Sequence, residues 1–416
     1  MKLRTLLGAG LLVGWSLTGA LAEDTKLTFL TFETPNLTAA YWDKVIAETT
    51  AKVPGVVIEK LVSPTVDRDA YARQLDSTGQ LPDIMVAVSP TGLAEAGKLA
   101  EFSAEELSDW INPTANSFDG KIYQLATNTQ TIPMIYYRLS DFEKAGIKGT
   151  PKTWDELLAA AEKLKAAGIT PFNIGGGGAD TWANMYTLIG LVGSDVYAKD
   201  KDWLKKLVAG ETTFKDPLFV GAVTKFKELV DKGYIDPKLL SNDYPATQAS
   251  FLAGTGAMYP MGSWFTVAPS AEQQKEYWVF PFPTADGSLV VSAFTGGGLS
   301  VSSKAPDVAK AKQWAIEFSK ANAEGGARFD ALFVALKGFT APADLPPLYT
   351  AALDLYNKGV AAGAVVPTFS NEGGTPSLPA GMNGEIASAI GDLINGRKDV
   401  DGFVSYLDEK FAELTK

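Results

Sequence analysis

The chain has 416 residues, 37 of them basic and 48 acidic, with no histidine and no cysteine. That composition excludes His-based catalytic triads, thiolate nucleophiles, disulfides, and zinc or copper sites of the ordinary kind. The acidic balance disfavours phosphate backbones and anionic membranes as partners, so no nucleic acid is expected to bind.

In chain order, Lys2 and Arg4 precede an uncharged run from Thr5 to Ala22 that closes on Ala20-Leu21-Ala22. This reads as a signal peptide over residues 1–22 with a small-x-small cleavage site. Gly8, Gly10, Gly14 and Gly19 dilute the run below the ~20 strongly apolar residues of a spanning helix. Without a cysteine at the new N-terminus, no lipid anchor is expected, and the product is expected to be periplasmic.

Residues 27–32 and 55–59 are β-rich runs, each followed by a helical segment, at 41–51 and 69–75, and a third β-run covers 83–88. Strands alternating with helices predict a crossover-built parallel sheet, hence an α/β fold. Residues 122–137 read as extended. Thr153 is expected to cap a helix, with Glu156 as its capping-box partner and Leu157, Leu158, Ala161 and Leu164 on one apolar face. A β-like element at 169–174 runs into four glycines, 175–178. Helical periodicity recurs at 222–229, 247–252, 308–318 and 403–414, and β-runs at 277–282 and 288–294.

The glycine runs do not bind phosphate by any known pattern: Gly178 precedes Ala179 and Asp180, and neither 175–178 nor 296–298 completes G-x-G-x-x-G. They serve either as flexible turns or as places where backbone N–H groups approach a ligand. Tryptophans 182, 264 and 278 and Phe32 fall near loops or strand ends, whereas Trp154 and Trp314 fall in helices. A sugar offers apolar C–H faces ringed by hydroxyls, so its site wants an aromatic platform with amide and carboxylate partners. Glycosidase chemistry needs two carboxylates at a set separation, and no motif singles out such a pair.

Several pieces in order resemble the extracellular solute-binding proteins of carbohydrate ABC importers, the family of maltose-binding protein. They are Pro82-Asp83-Ile84, Asp119-Gly120-Lys121-Ile122-Tyr123, Met134-Ile135-Tyr136-Tyr137-Arg138, Phe142-Glu143-Lys144-Ala145-Gly146-Ile147 and Pro151-Lys152-Thr153-Trp154-Asp155-Glu156-Leu157. Phe251-Leu252-Ala253-Gly254, Ala257-Met258, Gly262-Ser263-Trp264 and Gly396-Arg397-Lys398 continue the series. Two departures, Gln124-Leu125-Ala126 and Tyr136-Tyr137-Arg138, stand where many members have Leu-Pro and Tyr-Asn-Lys.

The resemblance implies a periplasmic binding protein type II fold, two α/β lobes joined by hinge strands with a ligand cleft between them. It implies crossings near Asn128, Gly296 and residue 350, with 23–127 plus 297–350 forming one lobe and 128–296 plus 351–416 the other. It implies a monomer without metal or cofactor that takes up a carbohydrate by closing, and delivers it to ABC permease subunits. The ligand contacts it implies are Phe32, Glu33, Thr34, Ser89, Asn128, Gly177, Trp182, Trp264, Gly297, Asn371 and Glu372, none of them basic. Two alternatives stay open: the same fold binding an amino acid, polyamine or glycerol phosphate, or a carboxylate-based carbohydrate-active enzyme.

Overall fold

The computed structural model describes residues 24–64, 68–178, 180–370 and 374–416. The expected signal peptide and the pair Asn371 and Glu372 lie outside the described residues.

The first sheet is ordered Leu299–Val301, Ile84–Val86, Thr25–Thr31, Val56–Val62. Thr25–Thr31 runs parallel to Val56–Val62 along its whole length and parallel to Ile84–Val86 on its other side, as the alternation of strands and helices predicts. Leu299–Val301 adds an antiparallel edge. Period-two alternation sends Phe29 to one face and Leu30 to the other. Phe29 meets Trp314 at 5.0 Å and Phe318 at 5.2 Å between ring centroids. Those two rings come from the helix Val308–Phe329, which packs beside Ala39–Thr50 over that face. Leu30 joins Ala72, Met85 and Phe118 on the opposite face.

A second, larger core is built around Met134–Arg138, flanked antiparallel by Met258–Met261 and Tyr277–Phe280. The helix Trp154–Ala166 begins with the expected capping box: the Thr153 hydroxyl accepts from the Glu156 N–H, and the Glu156 carboxylate accepts from the Thr153 N–H. Its Trp154, Leu157, Ala161 and Leu164 are buried. The β-like element expected at 169–174 forms no strand; Phe172 makes only isolated bridges to Ile235 and Met258.

A third sheet, ordered Phe333–Val334, Asn128–Thr131, Val291–Thr295, Val365–Pro367, ties the two cores together. Leu125 belongs to the first core and Ile132 to the second, so the chain crosses along Asn128–Thr131. It returns between Val291 and Leu299, and crosses again between Phe318 and Ala331. Phe333 pairs with Thr129 on the connecting sheet, Leu336 returns to the first core and bridges Trp110, and Leu348, Tyr349 and Ala352 of the helix Pro347–Ala361 pack in the second core.

Candidate functional site

A cavity of about 720 Å³ lies where the two cores face each other across the connecting strands. Parallel strands deliver their C-terminal ends to its rim, where a doubly wound sheet ordinarily binds its ligand. The loop after Thr25–Thr31 supplies Phe32, Glu33 and Thr34, and the loop after Ile84–Val86 supplies Ser89. Asn128 and Gly297 come from the connecting strands, and Trp182 and Trp264 from the second lobe. These eight of the expected contacts line one cavity.

Gly177 does not line it. A Cβ there would lie 2.2 Å from the Ser241 carbonyl oxygen, and the Gly177 N–H donates to the Asn242 carbonyl at 2.8 Å. Gly175 is equally tight, its Cβ position 1.8 Å from Thr247 Oγ1. Three of the four glycines are thus explained by close packing, Gly175 against the Thr247 side chain, Gly176 against that of Asn184 and Gly177 against the Ser241 backbone, while Gly178 has open space and a φ of +58°. Gly298, by contrast, both lines the cavity and presses on the chain, its Cβ position 1.9 Å from the Leu125 carbonyl oxygen.

The second lobe's wall is aromatic. Trp182 contacts Tyr244 at 5.2 Å, Tyr186 at 5.4 Å and Trp264 at 6.2 Å, and Tyr186 contacts Trp264 at 5.9 Å. Asp180 holds the group: its Oδ1 accepts from Trp182 Nε1 at 3.1 Å and its Oδ2 from the Tyr244 N–H at 2.9 Å. Burial pushes the Tyr186 and Tyr244 phenols upward, so both are neutral donors at physiological pH. The strand Met258–Met261 delivers Trp264 to the cavity rim, as its buried run predicts. Gly262, two residues before the indole, could leave room either for a ligand or for the ring. A Cβ on Gly262 would fall 2.2 Å from Trp264 Cζ3, so the missing side chain makes room for the indole itself rather than for a ligand.

On the first lobe Phe32 packs edge-on to Trp42, and the Arg68 guanidinium sits 4.1 Å from its ring centroid. Arg68 Nε also donates to the Ala87 carbonyl at 3.0 Å. The cavity lining also includes two basic residues, Arg68 and Arg73, beyond the expected contacts, none of which is basic. Thr34 Oγ1 accepts from the Leu37 N–H at 3.0 Å and shapes its loop. The Ser89 N–H donates to Asp69 Oδ1 at 2.7 Å. Asn36 Nδ2 reaches across to the Trp264 carbonyl at 3.2 Å, tying the two lobes at the cavity mouth. At the end of the helix Val308–Phe329, Asp330 faces the cavity; burial pushes its carboxyl up to about 7, against the opposing attraction of Arg68. Among the described residues, no group of three acidic side chains could hold a metal ion.

Residues 34–323, well over half of the chain, match the profile of the bacterial extracellular solute-binding proteins. The chain belongs to that family. A probable sugar-binding periplasmic protein of Mesorhizobium japonicum is 28% identical over 337 residues, covering 77% of this chain and 74% of the relative. The multiple sugar-binding protein of Streptococcus mutans is 24% identical over 316 residues, covering 73% of each. Among solved structures, a chitin oligosaccharide binding protein aligns with a TM-score of 0.81 and 26% identity, over 94% of this chain and 99% of its own. A sugar transporter from Arthrobacter chlorophenolicus with bound laminaribiose, at 17% identity, shares the fold with a TM-score of 0.76 over 94% and 100%.

The cavity also contains residues that the sequence did not single out: Tyr186, Tyr244, Asp180, Arg68, Asn322 and Asp330. A signal existed for one of them. Asp180 follows the glycine run and precedes Trp182 by two residues, a spacing suited to a carboxylate that fixes an indole N–H. For the others no local pattern distinguishes them from neighbours on the same helices.

Proposed function

We propose that this solute-binding protein captures a neutral sugar or oligosaccharide in the periplasm and presents it, chemically unchanged, to the permease of an ABC importer. The observation that carries the reading is the aromatic wall of Trp182, Tyr186, Tyr244 and Trp264 facing a cavity that also offers amide and carboxylate groups. Indole faces suit the apolar C–H faces of a sugar ring, and Asn128, Asn322 and Gln130 suit its hydroxyls. The relatives described above, sugar-binding and chitin oligosaccharide binding proteins, support this reading.

Capture works as a clamp. Phe32 and Ser89 lie on one lobe, Trp182 and Trp264 on the other, so a ligand touching both stabilises the form in which they are close. The shift in population equals its differential affinity for the two forms. The closed pair of lobes then gives the permease a surface that signals occupancy. Neither catalysis nor a metal is required, since the site binds, orients and releases.

A thermal-shift screen against neutral mono- and oligosaccharides tests this, with ligand at 100 times its dissociation constant expected to stabilise by about 2.7 kcal/mol. Mass spectrometry after prolonged incubation should return the sugar intact. Stabilisation by an amino acid or polyamine but by no sugar overturns the proposal, and so does cleavage of the oligosaccharide.

A further inference from the structure

Of the six acidic and basic residues on the cavity lining, Glu33 and Asp330 make no hydrogen bond through their carboxylates, and of these two Glu33 is exposed to solvent whereas Asp330 is half-buried. Both oxygens of Asp180 are taken by Trp182 and Tyr244, and Asp69 accepts from the Ser89 N–H. Arg68 covers Phe32 and donates to Ala87. The backbone of Asp330 is fully employed: its N–H donates to the Gly326 carbonyl, and its carbonyl accepts from Gln130 Nε2 at 3.1 Å. The side chain is therefore fixed at its root while its oxygens remain available.

Apart from the attraction of Arg68, the position disfavours an acid. It caps the C-terminal end of the 22-residue helix Val308–Phe329, where the helix dipole disfavours negative charge. It is also enclosed, which disfavours the ionised form again. An asparagine would suit the same cap without either penalty. Two phenols lie close enough to feel its charge, Tyr41 of the first lobe and Tyr244 of the second, but neither donates to it. The Tyr41 hydroxyl donates to Asn322 and the Tyr244 hydroxyl to Gln248.

Resting on the sugar-capture reading, we propose that Asp330 is the acceptor that orients the bound ring, taking hydrogen bonds from two adjacent hydroxyl groups of the sugar unit seated at the junction of the lobes. A carboxylate offers two oxygens to such a donor pair, and charge-assisted bonds of this kind are the strong ones. The donors belong to a neutral sugar rather than an ammonium group, because the Arg68 guanidinium shares the cavity and would repel a cation. Asp330 is a specificity-determining residue, since a ring lacking either hydroxyl leaves one oxygen desolvated and unpaired.

Proton linkage makes the role measurable. Donors bind the ionised carboxylate, so ligand lowers the pKa of Asp330 from about 7 and releases a proton on binding near neutrality. Affinity is full above pH 7 and declines as pH falls through it. The groups facing Asp330 do not interfere. Tyr41 and Tyr244 stay neutral through this range, Arg68 stays charged, and Asp180 is hydrogen-bonded at both oxygens. On its own helix Glu324 and Arg328 pair with each other, and the chain has no histidine or cysteine.

The experiment is calorimetry at pH 5.5, 7.0 and 8.5 on the purified protein and on Asp330→Asn, in buffers of different ionisation enthalpy. The probes are maltose, cellobiose, laminaribiose, chitobiose, their singly deoxygenated analogues, and the chitosan disaccharide. The disaccharide that binds the unmodified protein most tightly is expected to lose about 10- to 100-fold on Asp330→Asn at pH 8.5. The pH dependence and the proton release should vanish with it. One deoxy analogue should be penalised by the unmodified protein and not by the variant. Melting curves guard against misfolding, because Asp330→Asn should melt higher than the parent above pH 7, with the difference shrinking as pH falls and vanishing only well below about 4, where the carboxyl is neutral in both states. A disaccharide bound equally by both proteins with one pH profile overturns the role of Asp330 and leaves sugar capture standing. Tighter binding of the chitosan disaccharide than of chitobiose overturns the neutral-donor class. Failure of every disaccharide to bind the unmodified protein overturns this proposal and the sugar reading together.

Discussion

Gly262→Ala separates the aromatic platform from the fold that carries it. The backbone at Gly262 has φ −76 and ψ 166, an extended conformation that alanine adopts without strain. Replacing glycine there should even gain about 0.4–1 kcal/mol by restricting the unfolded chain. The new methyl, however, would lie 2.2 Å from Trp264 Cζ3 and 2.3 Å from Cη2, where ordinary carbon contacts begin near ~3.5 Å. The indole must therefore swing by more than about 1 Å, away from Trp182 and Tyr186. Two ring contacts at about 0.5–1.5 kcal/mol each put the cost at roughly 1–3 kcal/mol. That cost divides between a lower melting temperature and weaker sugar binding, because a displaced ring also leaves the cavity wall. Calorimetry and thermal melts on Gly262→Ala, Trp264→Ala and the double variant form a cycle. Once the ring is gone the methyl is relieved of the three atoms nearest to it, so Gly262→Ala on the Trp264→Ala background should cost far less than on the parent. Additive losses, or unchanged affinity in Gly262→Ala, would refute the assignment of Trp264 as the platform and of Gly262 as its seat.

Gly177→Ala should behave in the opposite way, lowering the melting temperature through collision with the Ser241 carbonyl while leaving the per-molecule affinity of the folded fraction unchanged. Thr153→Ala should remove the cap of Trp154–Ala166, far from the cavity, at about 0.5–2 kcal/mol of stability in chemical denaturation, with calorimetric affinity unaltered. Phe29→Ala should cost about 3–5 kcal/mol in the same assay, since its ring is fully buried against Trp314 and Phe318 and no neighbour can fill the gap.

What the chain discloses about itself follows the range of the interaction concerned. The capping box at Thr153 spans four residues and is written where it acts, as is the period-two run through Phe29 and Leu30. Residues 32–34 enter as site candidates through the family resemblance, and the structure places them where the central parallel strand ends and its loop opens. Gly177 and Gly262 illustrate the limit. Both look alike in sequence, yet what fills the space over each is a segment distant in the chain in one case and a ring two residues away in the other. The helix Met382–Ile394 buries Met382, Ile386, Ala389, Ile390 and Leu393 at helical spacing, but Gly384 and Gly391 lower its intrinsic propensity and blur the pattern. Asp330 is illegible for another reason: an acid at a helix C-terminus contradicts local preference, and only the enclosing cavity shows what the contradiction serves.

That the aromatic wall and the inter-lobe tie share one residue bears on how the clamp would work. Trp264 presents its indole to the cavity while its carbonyl accepts from Asn36 of the other lobe. The tie at 3.2 Å is made by a single neutral hydrogen bond, of the order of 0.5–1.5 kcal/mol. Further ties join the Thr375 N–H to the Ser117 carbonyl at 3.1 Å, the Asp119 N–H to Thr375 Oγ1 at 3.2 Å and Thr91 Oγ1 to Ser377 Oγ at 3.4 Å. Each is a neutral bond of about 0.5–1.5 kcal/mol, so that a ligand with preference for the closed form can outweigh them. A stronger latch, such as a buried ion pair, would hold the cleft shut without sugar and abolish the difference that the permease must read. The weakness of the contacts between the lobes is thus a requirement of the proposed function, and the strength resides in the aromatic surfaces and Asp330, which act only when a ligand lies between them.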